Sequence, residues 1–455
     1  MARNAGLYLG RYDGLGRNGV FDTDVRVQGG TAIPGLTLQS PIGSERRDTV
    51  WLDAGLLNAQ QWGAIDLATA GRASVDAPLT LQAGGALNLI GSTVNLAGDI
   101  HIVGGRLQAG NLLDVLGRPT ALLRNGRADV AIADGTRIDL AGGWSNAALG
   151  IGLDGGAAWT EGGSLRLQSS HDVTVGRQVA VDVDAGAALD MQGKGRIGKG
   201  GSVNLQANTA EVATDGSGRV RLGESSYFSG RGEGGGTFAL GTGGKAVVGA
   251  AEQDVAVLHL DTSLFGSGFA QYDINAHQGL DVADGTQLVA GMPGLRLAED
   301  ARTAQDRATA LQPWSAPLYA ADPQSGRIRQ RNGASITLRS DRNSVGGDLR
   351  VGRDARIAVD PGQAISLLGA GNIDVEGTLQ ARGGRISIDY VRPATALYAG
   401  QRSERTWRIG DGAVLAASAD SVSMVDAAGR LRGQGQTGGS IETGGALDRA
   451  TWALL

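Results

Sequence analysis

Cysteine is missing from all 455 residues of the chain, and aromatic residues make up only 4% of it. Without cysteine the chain has neither disulfides nor thiolate metal sites, so its stability must come from burial and backbone hydrogen bonds. The apolar fraction nevertheless reaches 41%. A core is therefore available, but it consists of small and aliphatic side chains, which favours thin, stacked strands over bulky globular packing.

Long apolar runs and concentrated charge are also absent from the sequence. No stretch of about 18 apolar residues occurs, so we expect no transmembrane segment. The first residues lead into no apolar stretch of the kind that forms a signal peptide. The formal net charge of -5, without a basic tail, argues against nucleic acid as a partner.

Glycine, in contrast, is abundant, with 76 residues against 10 prolines. It follows no strict G-X-Y period, which excludes collagen, and the low proline content is not typical of a disordered chain. Instead, a Gly-Gly pair followed by apolar residues at every second position recurs along the chain. Such segments lie at 84–89, 162–168, 200–206, 383–388 and 438–441.

A second recurring segment begins with an acidic residue followed by glycine, which marks a tight turn that needs a positive φ. It occurs at 134–140, 284–288, 376–379 and 411–415. The Gly-Gly segment at Gly162 returns 38 residues later at Gly200, with strand-like stretches at 173–175 and 179–183 between them. We interpret this interval as two coils of roughly 20 residues each.

The two recurring segments together predict an all-β protein, a right-handed parallel β-helix (β-solenoid) with loop or short helical excursions. In that fold each strand pairs with the equivalent strand one coil further on, about 4.8 Å away. Leu165 and Val203 then fall in one inward column, while Arg166 and Asn204 face water. An antiparallel sandwich would instead show hairpin turns at about 8–12-residue spacing.

The pattern divides the chain into four regions. Residues 1–75 carry irregular coils or an insertion, and 76–297 form a β-helix rod. Residues 298–332 form an excursion from the rod, since 298–311 is polar and helix-prone and is followed by Pro313. The rod continues over 333–455, with an insertion near 390–406.

Five residues are candidates for contact with a glycan. Lys194, Arg196 and Lys199 cluster between glycines and could meet an anionic polysaccharide, although an exposed turn would also explain them. Trp144 and Trp159 lie on glycine-rich turns and could stack on sugar rings, or pack against a neighbouring coil.

No catalytic residue, cofactor site or metal site is predicted. The four histidines, at 101, 171, 259 and 277, are far apart and show no His-x-x-x-His spacing. Asp182 and Asp184 alternate with valines, which puts both carboxylates on one face of a strand, and we interpret that face as solvated.

Several non-repetitive stretches resemble filamentous-haemagglutinin-type large exoproteins, the adhesin family of two-partner secretion. The resemblance is clearest over about residues 200–455. Its carriers are the segments 265–269, 280–286 with Met292-Pro293, 332–339, 355–363 (Ala-Arg-Ile-Ala-Val-Asp-Pro-Gly-Gln) and 407–415.

This resemblance implies a secreted or cell-surface adhesin of a bacterium, a virulence factor exported through an outer-membrane partner transporter. Its ligand would be a host or bacterial cell-surface receptor or glycan. Since neither a signal peptide nor the family's secretion motifs occur, we expect an internal or C-terminal-side fragment. Two alternatives remain open: a polysaccharide-cleaving β-helix enzyme, which needs converging carboxylates, and the stalk of a contact-dependent toxin delivery protein.

Overall fold

The structure is a computed structural model that describes most of the chain, apart from short gaps. It describes residues 6–9, 23–30, 39–41, 43–44, 47–115, 118–121, 129–152, 159–207, 218–249, 254, 256–322, 327–340, 347–390, 406–426 and 428–444. Strands account for 49% of the chain and helices for 6%, with long parallel sheets. The all-β prediction is confirmed. None of the described helices is long and apolar enough to cross a membrane.

The chain forms two compact units, which are described separately. Unit 1 comprises Met1–Gly236 and Leu295–Pro313, and unit 2 comprises Thr237–Gly294 and Trp314–Leu455. The segment Leu295–Pro313, here called the strap, therefore belongs to unit 1 although its neighbours in sequence belong to unit 2.

Unit 1 contains short strands, numbered in chain order. They are β1 (Gly6–Leu9), β2 (Asp24–Gln28), β3 (Thr49–Asp53), β4 (Ala64–Ala68), β5 (Arg72–Val75), β6 (Leu79–Thr80), β7 (Ala86–Ile90), β8 (Thr93–Leu96), β9 (Ile100–His101), β10 (Arg106–Gly110), β11 (Leu112–Val115), β12 (Arg118–Ala121), β13 (Val130–Ile132), β14 (Arg137–Asp139), β15 (Trp144–Asn146), β16 (Ser164–Gln168), β17 (Val173–Val175), β18 (Ala180–Asp182), β19 (Ala187–Leu189), β20 (Gly195–Ile197), β21 (Ser202–Gln206), β22 (Val220–Leu222) and β23 (Tyr227–Ser229). Helix α1 spans Ala54–Gln60, and a 3-10 turn spans Ala147–Leu149.

Three parallel sheets run side by side through unit 1. Their strand orders are β1-β4-β7-β10-β16-β21, β3-β2-β5-β8-β13-β17-β22 and β6-β9-β14-β18-β23. A smaller sheet, β15-β19-β20, pairs β15 with β19 in parallel and β19 with β20 antiparallel. Strands β11 and β12 form an antiparallel pair.

Inward side chains of the first sheet line up in columns. Ile65, Leu87, Leu107, Leu165 and Val203 are successive Cα partners, and each is at most 1% exposed. Burying one such aliphatic side chain contributes about 1.5–3 kcal/mol. Leu165 and Val203 are inward members of such a column, as predicted, because residues at every second position lie on the same side of a strand.

The predicted coil length is wrong over 162–200. Ser164 and Ser202 are direct Cα partners, so the 38-residue interval is a single passage from one strand of the first sheet to the next, here called a circuit. Strands β17 and β18, taken as part of separate coils, lie in the two other sheets. A circuit of 20 residues does occur between Ala86 and Arg106.

Unit 2 is built in the same way. Its strands are β24 (Thr237–Thr242), β25 (Lys245–Val248), β26 (Val257–Leu260), β27 (Gln271–Ala276), β28 (Gly279–Val282), β29 (Gln287–Val289), β32 (Tyr319–Ala321), β33 (Ile328–Gln330), β34 (Ser335–Ser340), β35 (Leu349–Val351), β36 (Arg356–Ala358), β37 (Ala364–Gly369), β38 (Ile373–Val375), β39 (Thr378–Gln380), β40 (Arg385–Tyr390), β41 (Trp407–Ile409), β42 (Val414–Ala416), β43 (Ser421–Val425), β44 (Leu431–Gly435) and β45 (Ser440–Thr443), with a 3-10 helix at Thr262–Gly266. The strands skipped in this series are β30 (Gly294–Leu297) and β31 (Leu311–Trp314), at the ends of the strap.

The strand orders in unit 2 are β24-β27-β34-β37-β40-β45, β26-β25-β28-β35-β38-β41 and β29-β36-β39-β42. Unit 2 also contains two antiparallel hairpins, β32-β33 and β43-β44, which contact each other. Phe238, Phe265, Phe269 and Tyr272 fill part of the core, with ring centroids 5.4 to 6.5 Å apart. The Tyr272 hydroxyl accepts a hydrogen bond from the Ser267 N–H at 3.1 Å.

The acidic-Gly turns take the predicted left-handed conformation at two of four positions. Gly135 has φ +74° and Gly285 has φ +72°, whereas Gly377 and Gly412 do not adopt a positive φ. At both left-handed turns the preceding aspartate caps the next circuit: Asp134 Oδ1 accepts from Arg177 N at 2.8 Å, and Asp284 Oδ1 accepts from Arg353 N at 3.0 Å. Both units thus contain an Asp-Gly corner of this kind among their described residues.

Two regions of irregular sequence contain strands or helices among their described residues. Residues 1–75 contain β1 to β5 and α1, and all five strands pair in the parallel sheets. The helix-prone stretch 298–311 forms only the one-turn helix α2 (Arg307–Ala310), capped by Asp306, whose carboxylate accepts from Thr309 N at 2.8 Å. The insertion expected near 390–406 lies mostly outside the described residues.

Candidate functional site

The side chains of Trp159 and Glu161 are both exposed, while Thr160 between them is buried. The Trp159 ring packs directly over Gly84. A Cβ at this position would lie 2.4 Å from the ring, so only glycine leaves room for the indole. Because Gly84 also has φ +70°, a larger residue would be strained there. The Trp159 side of unit 1 therefore presents an indole that is 41% exposed.

Glu161 contacts two basic residues, Arg196 on β20 and Lys199 shortly after that strand. Its Oε1 lies 3.5 Å from Arg196 Nη2, and its Oε2 accepts a hydrogen bond from Lys199 N at 2.7 Å. Arg196 and Lys199, two of the five predicted glycan contacts, are thus both bonded to Glu161, and a third, Trp159, lies two residues before Glu161 in the chain. We call these four residues the Trp159 patch.

Sequence reasoning missed Glu161 because its partners are 35 and 38 residues away. One feature of the sequence could have indicated Glu161: it directly precedes the Gly162-Gly163 pair, after which strand β16 begins. The circuit of that length places the residues before Gly162 beside those before Gly200, since Gly162 N donates to Lys199 O at 2.8 Å.

The other two predicted contacts do not join the patch. The backbone N–H of Lys194 donates to Asp190 Oδ1 at 2.7 Å, so Lys194 belongs to a tight turn with an exposed side chain. Trp144 is only 6% exposed, and its Nε1 donates to Ala304 O at 3.0 Å. A buried indole cannot stack on a sugar, and the packing interpretation describes Trp144.

Trp144 is the centre of the contact between the strap and the rest of unit 1. An apolar cluster surrounds it and is made of Ala187, Leu189, Ala301, Ala304, Ala310 and Leu311, with Ile151, Ile197, Leu295 and Leu297 at its margin. Asn146 Nδ2 also donates to Arg302 O at 3.0 Å. Most of the strap is therefore not the helix that was expected; its alanines pack closely against Trp144 and cover it.

Arg307 fixes the end of the strap on two carboxylates. Its Nη1 donates to Asp182 Oδ2 at 3.1 Å, its Nε donates to Ala185 O at 3.1 Å, and its Nη2 lies 3.4 Å from Asp184 Oδ2. Asp184 also accepts hydrogen bonds from the Ser229 hydroxyl and from Arg231 N.

The interpretation of Asp182 and Asp184 as a solvated face is wrong for Asp184, which is 4% exposed. Burial raises the pKa of Asp184, and the neighbouring charge of Asp182 raises it further. Both carboxylates are bound by arginine, so they serve as an ion-paired anchor for the strap.

One group of possible metal ligands occurs within the described residues: Asp129, His171 and Asp172, whose ligand atoms lie within 4.8 Å of one another. His171 Nδ1 is 3.0 Å from Asp129 Oδ1 and 3.5 Å from Asp172 Oδ1. However, Asp172 is also paired with Arg221, and its Oδ1 accepts from Arg219 N at 2.8 Å. These carboxylates already accept hydrogen bonds from protein groups of neighbouring circuits, so we interpret them as structural residues. Sequence reasoning compared histidines only with each other and so overlooked this group.

A shallow cleft of about 420 Å³ crosses three stacked corners of unit 1. Its lining consists of Asp134, Gly135, Arg177, Gln178, Glu224 and Ser225. Hydrogen bonds from the backbone and the guanidinium group of Arg177 lower the pKa of Asp134, so this corner is an ion-paired element of the fold.

Unit 2 carries an alternating ladder of charge on one outward strip. Asp281, Arg350, Asp374 and Arg408 are successive Cα partners on β28, β35, β38 and β41. Arg350 Nη1 lies 3.3 Å from Asp281 Oδ1, and Arg408 Nη2 lies 2.6 Å from Asp374 Oδ2. Opposite charges directly across neighbouring strands stabilise the stack.

Comparison with known proteins was made with family models, curated sequences and solved structures, and none of the three searches returned a match for this chain.

Proposed function

We propose that this chain is a parallel β-helix segment of a secreted or surface-displayed bacterial adhesin of the filamentous-haemagglutinin type. In this proposal each circuit is one coil of the β-helix. Inward columns such as the one through Leu165 and Val203 supply the cohesion. Outward side chains that form no ion pair between coils are then available for contact with a surface, because the apolar columns, and not those side chains, hold the coils together.

The Trp159 patch is the observation that carries the adhesive part of the proposal. A half-exposed indole offers an apolar face to the C–H groups of a sugar ring. Arg196 and Glu161, which follows Trp159 by two residues, supply a charged hydrogen-bond donor and a charged acceptor. This combination of one aromatic platform and a few polar groups is the chemistry that glycan recognition requires.

Attachment is the role that such a segment would serve in a longer exoprotein. The resemblance over residues 200–455 supports export through an outer-membrane partner transporter and display at the cell surface. The receptor is then a cell-surface glycan that is contacted by the Trp159 patch.

The proposal is tested with the purified chain immobilised on fluorescent beads. Bead attachment to cultured epithelial cells is measured together with binding to a panel of neutral and sulfated oligosaccharides. We expect Trp159→Ala and the double variant Arg196→Ala/Lys199→Ala to reduce both signals severalfold. Lys194→Ala is the matched control, because its side chain is exposed nearby but is not part of the patch, and it should leave both signals unchanged.

Absence of cell attachment by the wild-type beads would reject the adhesive function. Attachment that survives both patch variants would instead move the binding surface away from the Trp159 patch.

A further inference from the structure

We propose that the cleft across the three stacked corners of unit 1 is a second binding site of this chain, and that its ligand is a neutral saccharide. We call it the corner cleft. Its lining consists of Asp134, Gly135, Arg177, Gln178, Glu224 and Ser225. The inference does not depend on the proposed function, since none of these residues belongs to the Trp159 patch.

The backbone holds the three corners of the cleft directly on one another. Gly135 N donates to Arg177 O at 2.8 Å, and Gln178 N donates to Glu224 O at 2.9 Å. Glycine makes this close approach possible, because an added Cβ at Gly223 would lie 2.4 Å from a backbone carbonyl carbon of the corner before it. The cleft is thus formed by the fold before a ligand arrives, which lowers the entropic cost of binding.

Two of the three corners place a residue other than glycine in the left-handed region. Gln178 has φ +56° and Ser225 has φ +58°, whereas the corresponding residue of the first corner is Gly135, with φ +74°. A side chain is strained in this conformation and glycine is not. The chain contains 76 glycines, yet two side chains are present here at a cost to stability. Strain of this kind is a reason to look for a function of the residues that carry it.

Three side chains of the corner cleft are exposed and are not used by the fold. Gln178, Glu224 and Ser225 form no side-chain hydrogen bond with another of the residues that the structure describes. Asp134 and Arg177, in contrast, are bonded to each other. A ligand in the corner cleft would therefore meet an amide, a carboxylate and a hydroxyl group that need no intramolecular partner to be given up.

The charges of the lining limit the class of ligand. The carboxylates of Asp134 and Glu224 outnumber the single guanidinium group of Arg177, so the cleft does not favour an anion such as a sulfated glycan. The guanidinium group on the middle corner disfavours a metal cation. An amide, a hydroxyl and a carboxylate together offer both donors and acceptors, which match the hydroxyl groups of an uncharged sugar. The volume of about 420 Å³ lies in the range of small-molecule sites, roughly 300–1,000 Å³.

Isothermal titration calorimetry of the purified full chain tests this inference. The neutral probes are chitotetraose, cellotetraose and mannotetraose, and the sulfated probe is a heparin tetrasaccharide. We expect a neutral probe to bind and the double variant Gln178→Gly/Ser225→Gly to weaken its binding at least fivefold. The melting temperature of this variant should stay the same or rise, because glycine relieves the strain. Residues with a structural role alone would not weaken binding in a fold that is equally or more stable.

Asp354→Gly is the matched control. Asp354 has φ +55° and follows Arg353, whose N–H donates to Asp284 in the Asp-Gly corner of unit 2. It is not part of the corner cleft, so the variant should bind the neutral probe like the wild type. Trp159→Ala, which tests the Trp159 patch, should also leave this binding unchanged, so the inference and the proposed function can fail separately.

Absence of binding by all three neutral probes would overturn the inference. Binding that is unchanged in the double variant, or that is lost in Asp354→Gly or Trp159→Ala, would place the site elsewhere and overturn it as well. Equal weakening of heparin tetrasaccharide binding by the double variant would contradict the assignment to a neutral ligand. A lower melting temperature of the double variant would contradict the strain at Gln178 and Ser225.

Discussion

Asp134 and Arg177 are joined twice across one circuit of unit 1. Asp134 Oδ1 accepts from the backbone N–H of Arg177 at 2.8 Å, and Asp134 Oδ2 accepts from the Arg177 guanidinium group at the same distance. The aspartate of one corner thus holds the position of the corner that follows. Asp284 and Arg353 repeat the backbone part of this relationship in unit 2.

Two substitutions of Asp134 distinguish the contribution of its hydrogen bond to the Arg177 backbone from that of its ion pair with the Arg177 side chain. We expect the melting temperature to fall in the order wild type, Asp134→Asn, Asp134→Ala, because asparagine keeps the Oδ1 acceptor but loses the charge. Bonding to Arg177 lowers the pKa of Asp134. Its contribution is therefore complete above the unfolded-state pKa of about 4 and is lost as the pH falls through the lower folded-state pKa. Thermal unfolding from pH 7 to pH 2 should show the wild type and Asp134→Ala converging in acid.

Glycine is required at Gly352 because Asp284 comes so close. A Cβ at Gly352 would lie 2.2 Å from Asp284 Oδ1 and 2.8 Å from Asp284 N. We expect Gly352→Ala to destabilise unit 2 by about 1–3 kcal/mol in urea unfolding. Gly412→Ala, which has nothing within 4 Å of the added Cβ and no positive φ, should change stability by less than about 0.5 kcal/mol. Equal effects of the two substitutions would contradict the corner geometry.

The strap depends on Trp144. Trp144→Ala removes a buried indole and should lower the free energy of unfolding by about 3–5 kcal/mol. It should also raise the hydrogen-exchange rates of the strap amides. Trp159→Ala is the control, since that indole is exposed, and it should leave the strap protected. Unchanged strap exchange in Trp144→Ala would show that the apolar cluster does not hold the strap.

The positive charge of Arg307 compensates the negative charge of the buried Asp184 carboxylate. Arg307→Ala leaves Asp184 with less compensation, and we expect a loss of about 3 kcal/mol at neutral pH. Burial raises the pKa of Asp184, so the cost of its charge is present above the folded-state pKa and disappears as the pH falls through that value. The difference from the wild type should therefore narrow in acid. The double variant Arg307→Ala/Asp184→Asn should recover part of the loss at neutral pH, and no recovery would contradict the account.

Short-range periodicity was enough to predict the strands and their inward residues. The column through Leu165 and Val203 follows from alternation alone, since the pleat puts every second side chain on the same side. Circuit length was not predictable in this way. The circuit from Ser164 to Ser202 visits several sheets before it returns, and a strand of three residues carries no mark of the sheet that it joins.

The candidate site was only partly predictable for the same reason. Arg196 and Lys199 stand out in sequence because glycines surround them, but their partner Glu161 is one circuit away. The pairing of Arg307 with Asp182 spans 125 residues, and no local pattern indicates it. Trp144 and Trp159 share a glycine-rich context, and only the path of the strap decides which of the two is buried.

Parallel, in-register stacking of successive circuits is the claim on which the other conclusions depend. The chain has no cysteine, so pairs can be introduced without background. Asn88 and Gln108 are outward Cα partners on β7 and β10, about 4.8 Å apart by strand spacing and within the range for a disulfide. Oxidation of Asn88→Cys/Gln108→Cys, followed by mass spectrometry of peptides, measures their proximity directly.

Asn88→Cys/Asn204→Cys is the control, since these positions are three strands apart, roughly 14 Å by strand spacing. The account predicts rapid cross-linking of the first pair and none of the second. Cross-linking of the distant pair at an equal rate, or of neither pair, would contradict it.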